Sequence, residues 1–194
     1  MLSSVKAKRV VPEYDERWIG LKKIVEEGSL MRGDFTLSSG KKSAFLFQLR
    51  QTTLHPAGGY LIGNIITEFM KQKQADCAGG LETGAVPVVT SIATVSHTLN
   101  TPARVFFVRK QAKQHGAKER VNGFIQNSDK ILAVDDVTTT GGSMREVITG
   151  IAREYSASVP FAISIVDREE GAAQALAEEG IELYSIFRKS DFHI

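Results

Sequence analysis

Beyond residue 74, short apolar runs alternate with longer amphipathic segments, and few folds accept that rhythm. The pattern predicts strands over residues 75–80, 103–108, 131–134, 159–166 and 181–187. Helices are expected over 87–99, 143–155 and 172–179, and residues 123–126 read as a strand pairing with 103–108 across a long polar loop. Strands separated by helices imply an α/β fold whose parallel sheet is covered on both faces. In such sheets ligands sit beyond the carboxyl ends of the strands, so functional residues are sought there.

The first part of the chain reads differently. A helix is expected over residues 12–28, starting near Pro12, with Trp18, Leu21, Ile24 and Val25 on one face and Gly28 at its end. Residues 33–40 are turn-rich and 45–49 a short strand. A helix over 56–73 starts at Pro56 and carries Leu61, Ile62, Ile65, Ile66, Phe69 and Met70 on one stripe. With 194 residues the chain is expected to form one domain. Cys77 is the only cysteine, so neither an intramolecular disulfide nor a Cys-based zinc site can form. The formal charge of +2 is too balanced to argue for nucleic acid. No apolar run reaches the ~18–20 residues of a membrane span. The basic N-terminal stretch lacks the apolar core of a secretory signal, and the expected location is the cytoplasm.

Ile131-Leu132-Ala133-Val134 runs straight into Asp135-Asp136, then Val137-Thr138-Thr139-Thr140-Gly141-Gly142-Ser143. A helix follows, its core face formed by Met144, Val147, Ile148, Ile151, Ala152 and Tyr155. The free N–H groups of a helix start favour an anion. Gly141 and Gly142 let the backbone curl around it, and Thr138, Thr139, Thr140 and Ser143 add hydroxyl donors. No P-loop lysine and no dinucleotide fingerprint is present. Two carboxylates beside a phosphate must face something else: ribose hydroxyls, Mg²⁺ or a developing positive charge. The segment therefore reads as a site for a phosphorylated sugar. The alternative is an ordinary capped helix, with one Asp or Thr as N-cap.

Further along the sheet edge, Arg168 directly follows the 159–166 strand and offers a planar fork suited to a carboxylate or carbonyls. Residues 109–120 hold Arg109, Lys110, Lys113, Lys118 and Arg120 with one acidic residue, Glu119, and no apolar stripe. A mobile basic flap near a phosphate site would clamp polyanions. Gly79-Gly80-Leu81-Glu82-Thr83-Gly84 is a second glycine-rich turn between a strand and a helix.

The run 134–143 resembles the phosphoribosyl-pyrophosphate (PRPP) motif of type I phosphoribosyltransferases. Three further segments resemble the orotate phosphoribosyltransferase family: Phe35-Thr36-Leu37-Ser38-Ser39-Gly40-Lys41, the basic loop, and Val166-Asp167-Arg168-Glu169-Glu170-Gly171. The resemblance implies a type I phosphoribosyltransferase-like parallel sheet flanked by helices. A small helix and strand hood, about residues 12–50, would cover the base site, and the basic hairpin would be mobile.

The implied activity is transfer of 5-phosphoribosyl from PRPP to orotate, giving orotidine 5′-phosphate and pyrophosphate in pyrimidine biosynthesis. Asp135, Asp136 and Lys113 would be catalytic. Arg109, Lys110, Lys113 and His115, with residues 135–143 including Val137, would bind PRPP. Thr139 and Arg168 would contact orotate. Mg²⁺ is the implied cofactor, held through PRPP and water. A homodimer is implied, each basic loop reaching the neighbour's site. Many members carry acidic residues where this chain has Ala44 and Gln48, and some carry lysines where it has Ser38 and Gly84. A type I transferase for another base, or a PRPP-sensing regulator without chemistry, remain the alternatives.

Overall fold

The computed structural model describes residues 5–36, 40, 42–111 and 120–194, apart from the side chains of residues 152 and 153. In chain order the elements are β1 (Lys8–Arg9), α1 (Glu16–Gly28), β2 (Leu30–Thr36), β3 (Lys42–Phe47), α2 (Arg50–Thr53), α3 (Pro56–Lys73), β4 (Cys77–Leu81) and α4 (Ala85–Thr98). There follow β5 (Arg104–Val108), β6 (Val121–Gly123), β7 (Lys130–Thr138), α5 (Gly142–Tyr155), β8 (Ser158–Asp167), α6 (Ala172–Ala177) and β9 (Glu182–Arg188), then a 3₁₀ turn, Lys189–Phe192. Lys113 and His115, with Leu37, Ser38, Ser39 and Lys41, lie outside the described residues.

Seven strands form one sheet in the order β1-β9-β8-β7-β4-β5-β6, parallel except for the β5–β6 pair. Parallel strands are buried on both faces, and the two faces carry separate cores. On one, Leu132, Val134, Ile163 and Ile165 meet Leu21, Ile62, Ile66 and Ile92 from α1, α3 and α4. On the other, Ile131, Ala133 and Ala162 meet Met144, Val147, Ile151 and Leu176 from α5 and α6.

Several boundaries differ from those expected, β6 lying at Val121–Gly123 and not at 123–126, and four departures bear on the site. The first helix begins at Glu16, because Asp15 caps it by accepting the Arg17 N–H at 2.8 Å, and Pro12 lies in the preceding turn. The segment expected as turns holds β2, which pairs antiparallel with β3 across a bulge between Arg32 and Phe35. Its outward-facing sequence carries no apolar alternation, so only the pairing reveals it. Residues 8–9 add a parallel edge strand to β9, fastened by Arg9 to both Asp191 oxygens at 2.8 and 2.9 Å. Finally, β7 continues to Thr138, because β8 keeps pairing with it as far as Thr138–Asp167. The two aspartates are thus on the strand itself.

An aromatic ladder fastens the β2–β3 hairpin to the sheet. Phe47 lies 5.2 Å from Phe192, Phe192 5.4 Å from Phe187, and Phe187 5.1 Å from Trp18. The Trp18 indole donates to the Ile186 carbonyl at 2.8 Å. These contacts set the hairpin above the carboxyl end of β9, next to β8.

Candidate active site

Asp135 and Asp136 sit where β7 has passed its last partner in β4, the Gly79–Ala133 pair. Each carboxylate takes the next backbone N–H: Asp135 Oδ1 from Asp136 at 3.0 Å and Asp136 Oδ1 from Val137 at 2.9 Å. Those bonds hold both side chains beside one turn. A Cβ on Gly84 would come within 2.4 Å of Asp136 Oδ1 and 3.2 Å of Asp135 Oδ1. Only glycine lets the turn after β4 approach that closely. Burial, and then the Asp136 charge, push the Asp135 carboxyl well above the usual carboxylate range, while Lys110 pulls it down.

Two helices begin at this edge, on neighbouring strands. The N-cap of α5 is Gly141, in the left-handed region at φ 83°, with no side-chain cap. The first amide bonded back to it is that of Arg145, to the Gly141 carbonyl at 3.0 Å. Gly142 and Ser143 are exposed. The capped-helix alternative therefore fails, and the N–H groups ahead of Arg145 face outward where an anion can take them. The N-cap of α4 is Gly84, also without a side-chain cap. The carboxylate pair thus lies between two open, positively polarised helix ends.

Thr138 corrects one expectation. It is buried, and its hydroxyl rests on Met144 Sδ at 3.8 Å, so it adds no donor to the loop. Its carbonyl instead accepts the Arg168 N–H at 2.9 Å, and the Thr139 carbonyl accepts that of Ala172 at 3.2 Å. These bonds bring the loop after β8 alongside the loop after β7. Thr139 is half-buried and Thr140 exposed.

Arg168 is buried at 6% exposure, unlike a surface ion pair. Its Nε donates to Glu170 Oε1 at 2.8 Å, and its guanidinium lies 4.8 Å above the Phe45 ring. The hairpin thereby meets the sheet edge at the arginine. The root of the basic loop is held at the same edge. Lys110 N–H donates to Glu82 Oε1 at 3.1 Å, and Arg109 N–H to the Arg120 carbonyl at 2.9 Å, extending the β5–β6 pairing. Arg109 Nε is buried without a partner among the described residues. The sequence assigned no role to Glu82, Phe45 or Glu170: the first two act on residues distant in the chain, and Glu170 acts through a turn that the sequence pattern did not reveal. His55 caps α3 by accepting from Gly58 N–H at 3.4 Å.

Comparison with known proteins agrees with this geometry. Residues 54–181 match the family model of the phosphoribosyl transferase domain. An orotate phosphoribosyltransferase of Rhodopseudomonas palustris is 41% identical over 173 residues, covering 87% of this chain and 92% of the relative. The solved orotate phosphoribosyltransferase of Mycobacterium tuberculosis in complex with Fe(III) dicitrate superposes with a TM-score of 0.81 at 31% identity. It covers 92% of this chain and 99% of that one. The same enzyme in complex with PRPP gives 0.77 at 30% identity over the same shares.

Proposed function

The chain belongs to the orotate phosphoribosyltransferases, and we propose that it transfers 5-phosphoribosyl from PRPP to a ring nitrogen of orotate. The products are orotidine 5′-phosphate and pyrophosphate, a step of pyrimidine biosynthesis. The observation that carries this reading is the carboxylate pair set between two uncapped helix starts, with a buried arginine at the same edge.

The bond that breaks joins the anomeric carbon to pyrophosphate. Positive charge grows on the ribose and negative charge on the leaving group. The start of α5, through Val137 to Ser143, takes the 5′-phosphate, with Thr139, Thr140 and Ser143 as hydroxyl donors. Asp135 and Asp136 hold the ribose hydroxyls and stabilise the developing cation. The turn before α4 faces the pyrophosphate with its N–H groups, and Arg109, Lys110, Lys113 and His115 neutralise it. Arg168 and Thr139 contact orotate. Catalysis is then positioning plus electrostatics.

Mg²⁺ would neutralise further charge on pyrophosphate. Among the described residues no group of three or more His, Cys, Asp or Glu side chains gathers to hold a metal. The protein would therefore offer the ion two carboxylates at most, and PRPP oxygens and water the rest, as suits a hard, hydrated cation.

The whole chain acts as one catalytic unit, residues 12–50 forming the hood over the base, in a cytoplasmic homodimer whose basic loops are shared between subunits. A groove of about 590 Å³ between α3 and α4 supports the second copy. Leu54 and Tyr60 on its rim are exposed at 73% and 59%, and it runs to Thr83, beside the aspartates. No helix among the described residues is long and apolar enough to cross a membrane.

The decisive assay follows orotate consumption spectrophotometrically with PRPP and Mg²⁺, beside hypoxanthine, guanine, xanthine and uracil. Orotate should be consumed far faster than any of the other bases. Consumption of another base with orotate untouched would overturn the acceptor, and PRPP binding with no base consumed would leave a sensor.

A further inference from the structure

The chain turns sharply just after β8. Glu169 is left-handed at φ 58°, a conformation that non-glycine residues rarely adopt. The turn is held at both ends: Glu169 N–H donates to Asp167 Oδ1 at 3.0 Å, and Glu169 Oε2 accepts the Ser190 N–H at 2.9 Å. Its consequence is to fold Glu170 back onto Arg168, two residues earlier.

A guanidinium has five N–H groups and two faces through which it can grip a carboxylate: side-on through Nε and one Nη, or end-on through both Nη groups. Glu170 occupies Nε at 2.8 Å. Phe45 lies under the plane at 4.8 Å. Nη1 and Nη2 donate to no described residue, and unlike Arg109 Nε they are not sealed from solvent. A mostly buried guanidinium whose two free donor groups meet solvent is placed to exchange that water for an acceptor.

At first sight an acidic neighbour should weaken an arginine's hold on an anionic base. The geometry argues the other way. Glu170 makes a single contact, and Nε is the donor that it takes. The side-on grip is thereby closed, and the end-on fork is the one left for a ligand. Glu170 also keeps the planar group from rotating between the two grips, a freedom that a flexible arginine would otherwise lose only on binding.

We propose that Glu170 is a positioning residue for the acceptor base: it locks Arg168 so that the two Nη groups meet the carboxylate of orotate end-on. This rests on the reading that Arg168 faces orotate, and the experiment separates the two. Kinetics are measured for Glu170→Ala, Glu170→Asp, Glu170→Gln and Arg168→Ala with orotate and with uracil, which lacks the carboxylate. Losing one hydrogen bond to a charged group should raise the Michaelis constant for orotate about tenfold in Glu170→Ala. The constant for PRPP and the turnover number should hold. Glu170→Asp, one methylene too short to reach Nε, should behave like Ala, and it serves if the Ala variant does not fold. Glu170→Gln keeps a carbonyl acceptor and should restore most of the affinity. Preference for orotate over uracil should shrink in Ala and Asp and return in Gln. If Arg168→Ala raises the orotate constant while Glu170→Ala and Glu170→Asp do not, the positioning role falls and the arginine reading stands. If Arg168→Ala leaves the orotate constant alone, both fall. An equal rise for orotate and PRPP in the Glu170 variants would show a loop that merely loosens, and would also overturn the role.

Discussion

In the proposed site, the phosphate side and the base side are built from different materials. Around Asp135 and Asp136 the recognising groups are mostly backbone: two helix starts, N-capped by Gly84 and Gly141, project N–H groups from the ends of β4 and β7. Around Arg168 they are side chains, held by other side chains: Glu170 on Nε, Phe45 under the plane, and Lys189 5.9 Å from the same ring. A phosphate is round and doubly charged, so converging amides suffice for it. A flat base with one carboxylate needs an oriented fork. Apart from the basic loop, the first side should tolerate changes of side chain except at its glycines and aspartates, and the second should be sensitive to neighbours that never touch the ligand.

The largest expected effect tests whether the phosphate side has a charge at its centre. Asp136→Asn keeps the oxygen that accepts the Val137 N–H but removes charge needed in the transition state. Turnover should fall by about two orders of magnitude or more, with PRPP affinity nearly kept in a calorimetric titration. Full turnover would end the assignment.

Next comes the close approach. Gly84→Ala places a methyl 2.4 Å from Asp136 Oδ1, which must move. A misplaced catalytic group should lower kcat/KM roughly tenfold to a hundredfold while the thermal midpoint hardly moves. Unchanged kinetics would mean that the glycine serves packing alone.

The proposed sharing of the basic loop predicts a smaller, countable effect. Asp136→Asn and Lys113→Ala homodimers, both nearly inactive, are dissociated, mixed equally and reassociated. About half the dimers are then mixed, each with one intact site, so activity should recover to about a quarter of wild type. Verified subunit exchange without recovery would place each loop in its own subunit's site.

The smallest effect is one of stability. Asp135 has a folded-state pKa raised by burial and by Asp136. Such a group favours folding in acid, and that contribution is lost as pH rises from the unfolded value of about 3.9 through the folded one. Asp135→Asn should therefore be more stable than wild type at neutral pH, and the gain should vanish below about pH 4. Denaturant titrations at the two pH values measure it. An equal gain at both would trace it to packing instead of charge.

These differences also divide what could be read from the amino acids. The half of the phosphate side around α5 lies in one continuous run from Ile131 to Ser143, and its parts follow from strand, turn and helix rules acting locally. The strand, the carboxylates, the glycines and the helix were all legible there. Thr138 was misjudged because a run of hydroxyls does not say which one a strand turns inward toward Met144. The base side gathers Phe45, Arg168, Glu170 and Lys189 from three stretches of chain, and β2, which pairs with the strand carrying Phe45, has no alternation to announce it.

By itself, then, the amino-acid order determined the alternation of strands and helices, the parallel sheet, and the motif at the end of β7. Each depends on hydrophobic period and on backbone freedom within a few neighbouring residues. Only the tertiary structure decided that the Glu82–Gly84 turn presses on the aspartates, that residues 8–9 complete the sheet, and that Phe45 of the hairpin lies against Arg168. These are contacts between elements whose approach is set by how two cores pack on opposite faces of one sheet, and no local pattern encodes a distance of that kind.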